Sequence, residues 1–201
     1  MVARVVVLIS GHGSNLQAIL DSAQSGRLAG LVDVVGVVSN RKRAYGLERA
    51  KNSQVPAEAF TLAAFREQGR SREDYDAALA DLIATKYRPD LVVLAGWMHI
   101  LTPSFLSRFP NKVINLHPAL PGQFDGARAI ERAYEASRQG LIDHTGVMVH
   151  HVIPEVDQGA PIVTRTVPIY QVDTVETLEE RIHAVEHDLL IDGIIRFLNR
   201  Q

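Results

Sequence analysis

The residues whose types and spacing best suit catalysis are the segment Asn115-Leu116-His117 and a later aspartate, Asp157. Asn115 and His117 stand two positions apart at the end of a short apolar run, so in a strand their side chains point to the same side. Pro118 follows and ends that strand. An amide, an imidazole and a carboxylate can hold and move protons around a carbonyl carbon. The chain has no cysteine, which excludes thiolate chemistry.

Each of these residues also has an ordinary structural explanation. A lone histidine such as His117 is often a hydrogen-bonded core residue, and Asp157 alone reads best as a turn residue before Gly159. The position of the pair favours chemistry, because open α/β sheets bind ligands beyond the carboxyl ends of their strands. A loop-like stretch, residues 118–126, follows directly, and loops of that length are often functional.

A second candidate site is the glycine-rich segment Ser10-Gly11-His12-Gly13-Ser14-Asn15, which lies between a predicted strand and a predicted helix. Glycine lets a backbone turn tightly, and a helix N-terminus attracts phosphate. We therefore predict that Gly13, Ser14 and Asn15 hold a phosphate monoester. The alternative is a plain turn in which Ser14 or Asn15 caps the helix. The spacing matches neither a dinucleotide fingerprint nor a Walker loop.

Two further groups of residues have less specific signals. The segment Trp97-Met98-His99-Ile100-Leu101 is either core packing or an apolar slot for a flat heterocycle. The histidines at 144, 150 and 151 suggest a metal site, but 150 and 151 face opposite sides of a strand and cannot be joint ligands without distortion. We therefore predict no metal.

The elements that position these residues alternate between strand and helix along the whole chain. Fully apolar strands in such an alternation predict an α/β fold with a mostly parallel central sheet and helices on both faces. The last two strands are close in sequence and are expected to add an antiparallel edge. The predicted strands cover residues 4–10, 31–39, 58–61, 90–97, 112–116, 144–153 and 161–169. The predicted helices lie near 16–23, 47–51, 75–83 and 126–138, and from Asp173 onward with Glu176 as capping-box partner.

Composition limits the class of protein. The 201 residues are 46% hydrophobic and 22% charged, with a net charge of −2, so nothing points to nucleic-acid binding. One domain over residues 1–201 is the expected count. No apolar stretch is long enough for a membrane span, and no signal peptide is recognisable. The absence of cysteine favours a reducing, cytoplasmic setting.

The chain closely resembles the phosphoribosylglycinamide formyltransferase family, the folate-dependent enzymes of purine synthesis. The matching stretches run in order across nearly the whole chain: VVVLISGHGSNLQAIL, DLVVLAGWMHIL, INLHPALPG, DHTGVMVHHVIPEVDQGAPIV and RIHAVEHDLL. The resemblance implies the Rossmann-like formyltransferase fold, with a ribonucleotide-binding N-terminal half and a folate-binding, catalytic C-terminal half. It further implies small-molecule substrates and a monomer or homodimer.

The resemblance also implies roles for individual residues. N10-formyltetrahydrofolate would donate its formyl group directly to the amine of glycinamide ribonucleotide, through a tetrahedral intermediate and without a metal. The catalytic residues would be Asn115, His117 and Asp157, and the ribonucleotide would contact Gly13, Ser14, Asn15 and Glu186. Folate would contact Arg72, Met98, His99, Ile100, Leu101, Asn115, Val156 and Asp157. His99 stands where the family commonly has arginine, and the loop after Pro118 is one residue shorter than is usual.

The resemblance implies that Asn115 donates a hydrogen bond to the developing oxyanion, and that His117 adds positive charge if it is protonated, a state that the sequence leaves open. Asp157 would raise the proton affinity of His117 and orient a water that carries the amine proton. Two alternatives stay open. A formyltetrahydrofolate hydrolase would use water as the acceptor and would need no phosphate loop, and a non-catalytic folate or nucleotide sensor would not need the three polar side chains.

Overall fold

A computed structural model describes residues 1–200, in which strands and helices alternate. The strands are β1 (Ala3–Ile9), β2 (Val32–Ser39), β3 (Ala57–Ala59), β4 (Leu91–Leu94), β5 (Val113–His117), β6 (His144–His151) and β7 (Pro161–Pro168). The α-helices are α1 (Ser14–Ser25), α2 (Tyr45–Asn52), α3 (Leu62–Arg66), α4 (Arg72–Leu82), α5 (Pro103–Leu106), α6 (Ala129–Arg138) and α7 (Val175–Leu198).

The strands belong to one mixed sheet with the order β3-β2-β1-β4-β5-β6-β7. β1 pairs in parallel with β2 and β4, and β2 pairs in parallel with β3. β6 and β7 are antiparallel and form one edge. The predicted α/β class is therefore confirmed, including the antiparallel edge made by the last two strands.

Chain contacts divide the molecule into two compact units, of which the first is Met1–Ile114. Its core is built on β1, where every residue from 5 to 9 is buried, because β1 lies between two neighbouring strands and carries only apolar side chains there. α1 and α2 pack against β2. This core holds the carboxyl ends of β1 and β4. The loop that contains Gly13, Ser14 and Asn15, called the Gly-Ser-Asn loop below, follows β1, and the segment 98–101 follows β4.

The second unit begins at Asn115. α7 packs on β6 and β7, and its buried face carries Leu178, Ile182, Leu189 and Ile194.

The predicted start of α7 was wrong by two residues. α7 begins at Val175 with Thr174 as N-cap and Thr177 as the capping-box partner, in place of Asp173 and Glu176. The Asp173 carboxylate instead accepts hydrogen bonds from Arg181.

The structure differs from the sequence-based prediction in short elements. α3 and α5 were not predicted, since they have five and four residues and carry too few positions for a helical period. The helix predicted to end at 83 ends at Leu82 and continues as one turn of π-helix over Ile83–Tyr87. Within residues 1–200, no helix is both long and apolar enough to cross a membrane.

Candidate active site

Four polar side chains meet in the second unit. Asn115 and His117 lie on β5, His150 lies near the end of β6, and Asp157 lies in the loop that leads to β7. The Asp157 carboxylate is 3.2 Å from His117 Nδ1 through Oδ2 and 3.3 Å from Asn115 Nδ2 through Oδ1. The structure therefore brings together the three residues that the sequence singled out, and it places a fourth among them.

Local backbone geometry aims Asp157 at this cluster. Asp157 has a φ of 57°, in the left-handed region that aspartate and asparagine tolerate better than most residues. Its Oδ2 accepts a hydrogen bond of 2.8 Å from the Gly126 N–H, so the loop after β5 holds one side of the carboxylate. Only about a tenth of the Asp157 side chain, 11%, is exposed.

His150 is the member of the cluster that sequence reasoning missed. Its Nδ1 lies 2.9 Å from the His151 carbonyl and donates to it, and its Nε2 lies 3.2 Å from Asn115 Nδ2. Nε2 is also 3.5 Å from Asp157 Oδ1. The alternation of β6 offered a signal, because His150 must face away from His151, whose ring packs toward Phe197.

Gly159 allows close packing of the backbone at the end of β6. A Cβ atom on Gly159 would lie 1.6 Å from the His151 carbonyl oxygen, so no other residue fits there without a backbone shift. The same carbonyl accepts the His150 hydrogen bond. Gly159 therefore allows the close backbone approach that orients the His150 ring.

Burial determines the protonation of His117. Removal from water lowers the pKa of its imidazole, and this effect outweighs the Asp157 carboxylate, which raises it. The net result is a pKa below the ordinary value of 6.5, so the ring is neutral at pH 7. The sequence left this protonation state open, because it did not reveal that His117 is only 4% exposed.

At Asp157, hydrogen bonds and nearby charges outweigh the effect of burial on the pKa. Burial alone would raise its pKa, but the His150 imidazole, the Gly126 N–H and the charge of His117 together lower it. Asp157 is therefore ionised at neutral pH. A neutral imidazole beside a buried carboxylate is an arrangement that can take up a proton, because the carboxylate stabilises the imidazolium once it forms.

Two further features of the cluster bear on its chemistry. His117 Nε2 is buried and has no hydrogen-bond partner in the described residues. Buried polar atoms are nearly always paired, so an orphan of this kind calls for a ligand or a water. The Asn115 amide nitrogen, which has two hydrogens, contacts both His150 and Asp157 and is thereby held in one orientation.

The Gly-Ser-Asn loop lies in the first unit at the start of α1. Gly13 occupies the N-cap position with a φ of 78°, so neither Ser14 nor Asn15 is the N-cap residue. A Cβ on Gly13 would lie 2.8 Å from the Gly46 Cα, which makes glycine necessary there. Arg49 holds the preceding peptide, since its Nε donates to the His12 carbonyl at 2.9 Å. The geometry has the form of a helix N-terminal anion site.

The segment 98–101 also lies in the first unit, directly after β4. Met98 and Ile100 are 69% and 61% exposed, an unusual placement for large apolar side chains, whereas Leu101 is buried. Arg72 donates to the Ile100 carbonyl and pairs with the buried Asp76 at 3.0 Å. Arg72 thus stabilises this segment, and its guanidinium group already binds the Ile100 carbonyl and the Asp76 carboxylate.

The remaining predicted site residues lie in the second unit. Val156 is half-buried next to Asp157, and Glu186 is buried on α7. Within the part of the chain that the structure describes, no three His, Asp or Glu side chains are grouped to hold a metal ion.

Comparisons with known proteins agree on one family. A family model described as formyl transferase matches residues 3–194. The phosphoribosylglycinamide formyltransferase of Schizosaccharomyces pombe is 54% identical over 200 residues, covering 96% of each chain. That of Dictyostelium discoideum is 46% identical, covering 96% of this chain and 97% of its own.

Solved structures give the same result. The glycinamide ribonucleotide transformylase 1 of Symbiobacterium toebii superposes with a TM-score of 0.88 at 41% identity, covering 96% of this chain and 86% of its own. That of Geobacillus kaustophilus superposes with a TM-score of 0.87 at 36% identity, covering 96% and 97%. A family model that spans nearly all residues, together with relatives of such identity over their full length, establishes that the chain belongs to the formyl transferase family.

Proposed function

We propose that this enzyme transfers the formyl group of N10-formyltetrahydrofolate to the amine of glycinamide ribonucleotide, a step of purine synthesis. The observation that carries the proposal is the cluster of Asn115, His117 and Asp157, in which Asp157 contacts the other two side chains and His117 Nε2 has no hydrogen-bond partner among the described residues. The full-length similarity to proteins named phosphoribosylglycinamide formyltransferase supports the choice of substrates. A cytoplasmic location, with no nucleic acid or membrane partner, belongs to the same proposal.

His117 is the proton carrier in this mechanism. The attacking amine loses a proton as its nitrogen bonds to the formyl carbon, and neutral His117 accepts that proton at Nε2. The imidazolium then returns the proton to the folate nitrogen as the carbon–nitrogen bond there breaks. The proton passes from the amine to the leaving nitrogen, and the enzyme ends the cycle unchanged.

Asp157 and Asn115 support this transfer in different ways. Asp157 is ionised and lies 3.2 Å from His117 Nδ1, so it stabilises the positive charge that His117 carries between the two proton transfers. Asn115 supplies an amide N–H to the formyl oxygen as negative charge grows on it, moving one hydrogen away from its present contact with His150 or Asp157. Loss of one such donor typically costs about 10²–10³-fold in rate.

The binding residues complete the proposal. Gly13, Ser14 and Asn15 bind the phosphate of the ribonucleotide, and Glu186 contacts the same substrate. Folate is held by Arg72, by Val156 and Asp157, and by the exposed apolar surface of Met98 and Ile100 with His99 and Leu101 beside it. The folate supplies the formyl group and requires no metal.

The test separates transfer from hydrolysis and from binding alone. Purified enzyme is mixed with formyl folate, with and without glycinamide ribonucleotide, and both formylated product and free formate are quantified by mass spectrometry. We expect formylated product in a one-to-one ratio with folate consumed, and little formate without the ribonucleotide. Formate release at the same rate in both mixtures would support the hydrolase instead, and no turnover would support the sensor.

A further inference from the structure

Arg49 is a partly buried residue of α2 that the proposed mechanism does not use. Its Nε donates a hydrogen bond to the His12 carbonyl at 2.9 Å, and its Nη1 donates to Gln17 Oε1 at 3.2 Å. Its Nη2 lies 3.2 Å from His12 Nδ1. His12 precedes Gly13, and Gln17 lies in the first turn of α1, so the guanidinium group binds the chain on both sides of Gly13.

The backbone of the Gly-Ser-Asn loop packs closely on the start of α2. The Gly46 N–H donates to the Gly11 carbonyl at 3.1 Å. A Cβ atom on Gly46 would collide with the Ile9 side chain, and a Cβ atom on Gly13 would lie 3.4 Å from Arg49 Cδ. The methylene groups of Arg49 therefore lie next to Gly13, while its guanidinium group binds the segments before and after that residue.

The His12 ring also packs on α2. It stacks on the ring of Tyr45, with 5.3 Å between the ring centroids and 23° between the ring planes. The Arg49 guanidinium lies 4.9 Å from the Tyr45 ring centroid. Arginine suits this position, because its planar guanidinium donates in several directions and packs on aromatic rings, whereas the ammonium of lysine is a compact point charge. Lysine at position 49 would keep the charge and lose this geometry.

Phosphate affinity at the start of α1 depends on where the backbone N–H groups of the loop point. Gly13 has a φ of 78°, and glycine adopts many conformations with similar ease, so Gly13 alone does not hold these N–H groups in place. We propose that Arg49 is a positioning residue for the phosphate site, which fixes the conformation of Gly13 and thereby orients the N–H groups before the ligand arrives. Preorganisation of this kind raises affinity by reducing the ordering that binding requires. This inference rests on the proposed binding of the ribonucleotide phosphate at this loop.

The test uses two acceptors that differ only in the phosphate, glycinamide ribonucleotide and the corresponding nucleoside. Their dissociation constants are measured by NMR titration, which detects weak binding, for the wild type, Arg49→Gln and Arg49→Lys. In Arg49→Gln we expect ribonucleotide binding to weaken about tenfold and nucleoside binding to change by less than about twofold. Arg49→Lys should resemble Arg49→Gln, because it loses the same contacts. Wild-type affinity in Arg49→Lys would show that charge alone matters and would overturn the inference.

A control variant and a readout without substrate complete the test. Lys51→Gln removes an exposed cation of the same helix and should bind both acceptors like the wild type. The Gln17 amide donates to the Gly13 carbonyl at 2.9 Å, so its hydrogen exchange reports on the order of the loop. In Arg49→Gln that exchange should be about tenfold faster, while exchange of the Leu20 amide, inside α1, should not change.

Failure of the inference is distinguishable from failure of the proposed function. If the wild-type enzyme does not bind the ribonucleotide, the proposed function is wrong, and exchange of the Gln17 amide still tests whether Arg49 fixes the loop. Unchanged exchange of that amide in Arg49→Gln, or an equal loss of affinity for both acceptors, would overturn the role of Arg49.

Discussion

The protonation of His117 depends on two opposing effects that act on one ring. Burial disfavours the imidazolium, and the carboxylate of Asp157 at 3.2 Å favours it, with burial the larger of the two. A ring that is neutral at rest but stands beside a fixed negative charge is suited to receive a proton briefly. The assignment of His117 as a proton carrier follows from this balance.

The balance predicts a measurable shift. In the wild-type enzyme the pKa of His117 should lie below 6.5, and Asp157→Asn should lower it further, because the favourable charge is lost while burial stays. Asparagine is nearly isosteric and tolerates the left-handed backbone at 157, so the fold should be kept. NMR titration of the imidazole carbons measures both values. An upward shift in the variant would contradict the assignment.

His150 has a different effect at the same site. It helps to lower the pKa of Asp157, so His150→Ala should raise that pKa and move the acidic limb of the kcat profile to higher pH. A loss of stability of about 1–3 kcal/mol is expected as well, because buried partners are left unpaired. His151→Ala is the matched control, since that ring faces Phe197. Equal pH profiles for both variants would argue against a role for His150.

At the scale of elements, glycine positions the loop that leads into α1. Gly13→Ala places a methyl group 2.8 Å from the Gly46 backbone at a positive φ, and the loop must move. We expect the KM for glycinamide ribonucleotide to rise about tenfold or more, which equals about 1.4 kcal/mol of binding, with little change in the KM for folate. Steady-state kinetics with each substrate varied in turn tests this.

Gly140 provides the comparison for that variant. It has a similar φ of 72° but nothing within 4 Å of a built Cβ. Gly140→Ala should therefore cost only the strain of the left-handed conformation, about 1–2 kcal/mol of stability, and leave both KM values unchanged. If the two variants raise the KM for the ribonucleotide equally, the loop has no special role in binding.

Local sequence patterns predicted some strands and side-chain orientations but not the contacts that depend on distant residues. Runs of valine identified β1 and β2, and the i, i+2 rule placed Asn115 and His117 on one side of β5, because these signals are local. The alternation of β6 indicates only that His150 and His151 face opposite sides. The contact between His150 and Asp157 depends on the path of the loop between β6 and β7, which no local pattern encodes. The start of α7 was misplaced for a related reason, since Asp173 is taken by Arg181, eight positions away.

At the scale of the whole molecule, buried histidines make the fold sensitive to acid. The pKa values of His99, His117 and His151 are all lowered by burial. The unfolded chain binds protons near pH 6.5 that the folded protein rejects, so the free energy of unfolding falls as pH drops through that value. Each group contributes at most about 1.4 kcal/mol per pH unit, and His99 and His151 contribute less because they are only half-buried.

A second loss of stability is expected at lower pH. The guanidinium of Arg181 holds the pKa of Asp173 well below its usual range, and the pKa of Asp157 is also lowered. Such carboxylates stabilise the fold above their unfolded pKa near 4, and this contribution disappears as pH falls toward the folded value. Urea unfolding at pH 7.5, 6, 5 and 3.5 should give steadily smaller free energies. A protein that is more stable at pH 5 than at pH 7.5 would contradict this account.

The central claim is that Asp157 acts on the reaction through His117 and is not needed merely to bind substrates. The most direct test is single-turnover formyl transfer by Asp157→Asn, with the dissociation constants of both ligands measured on the same preparation. The account predicts a rate about 10²–10⁴-fold below wild type, with both dissociation constants within threefold. A variant that transfers formyl within threefold of the wild-type rate would contradict it.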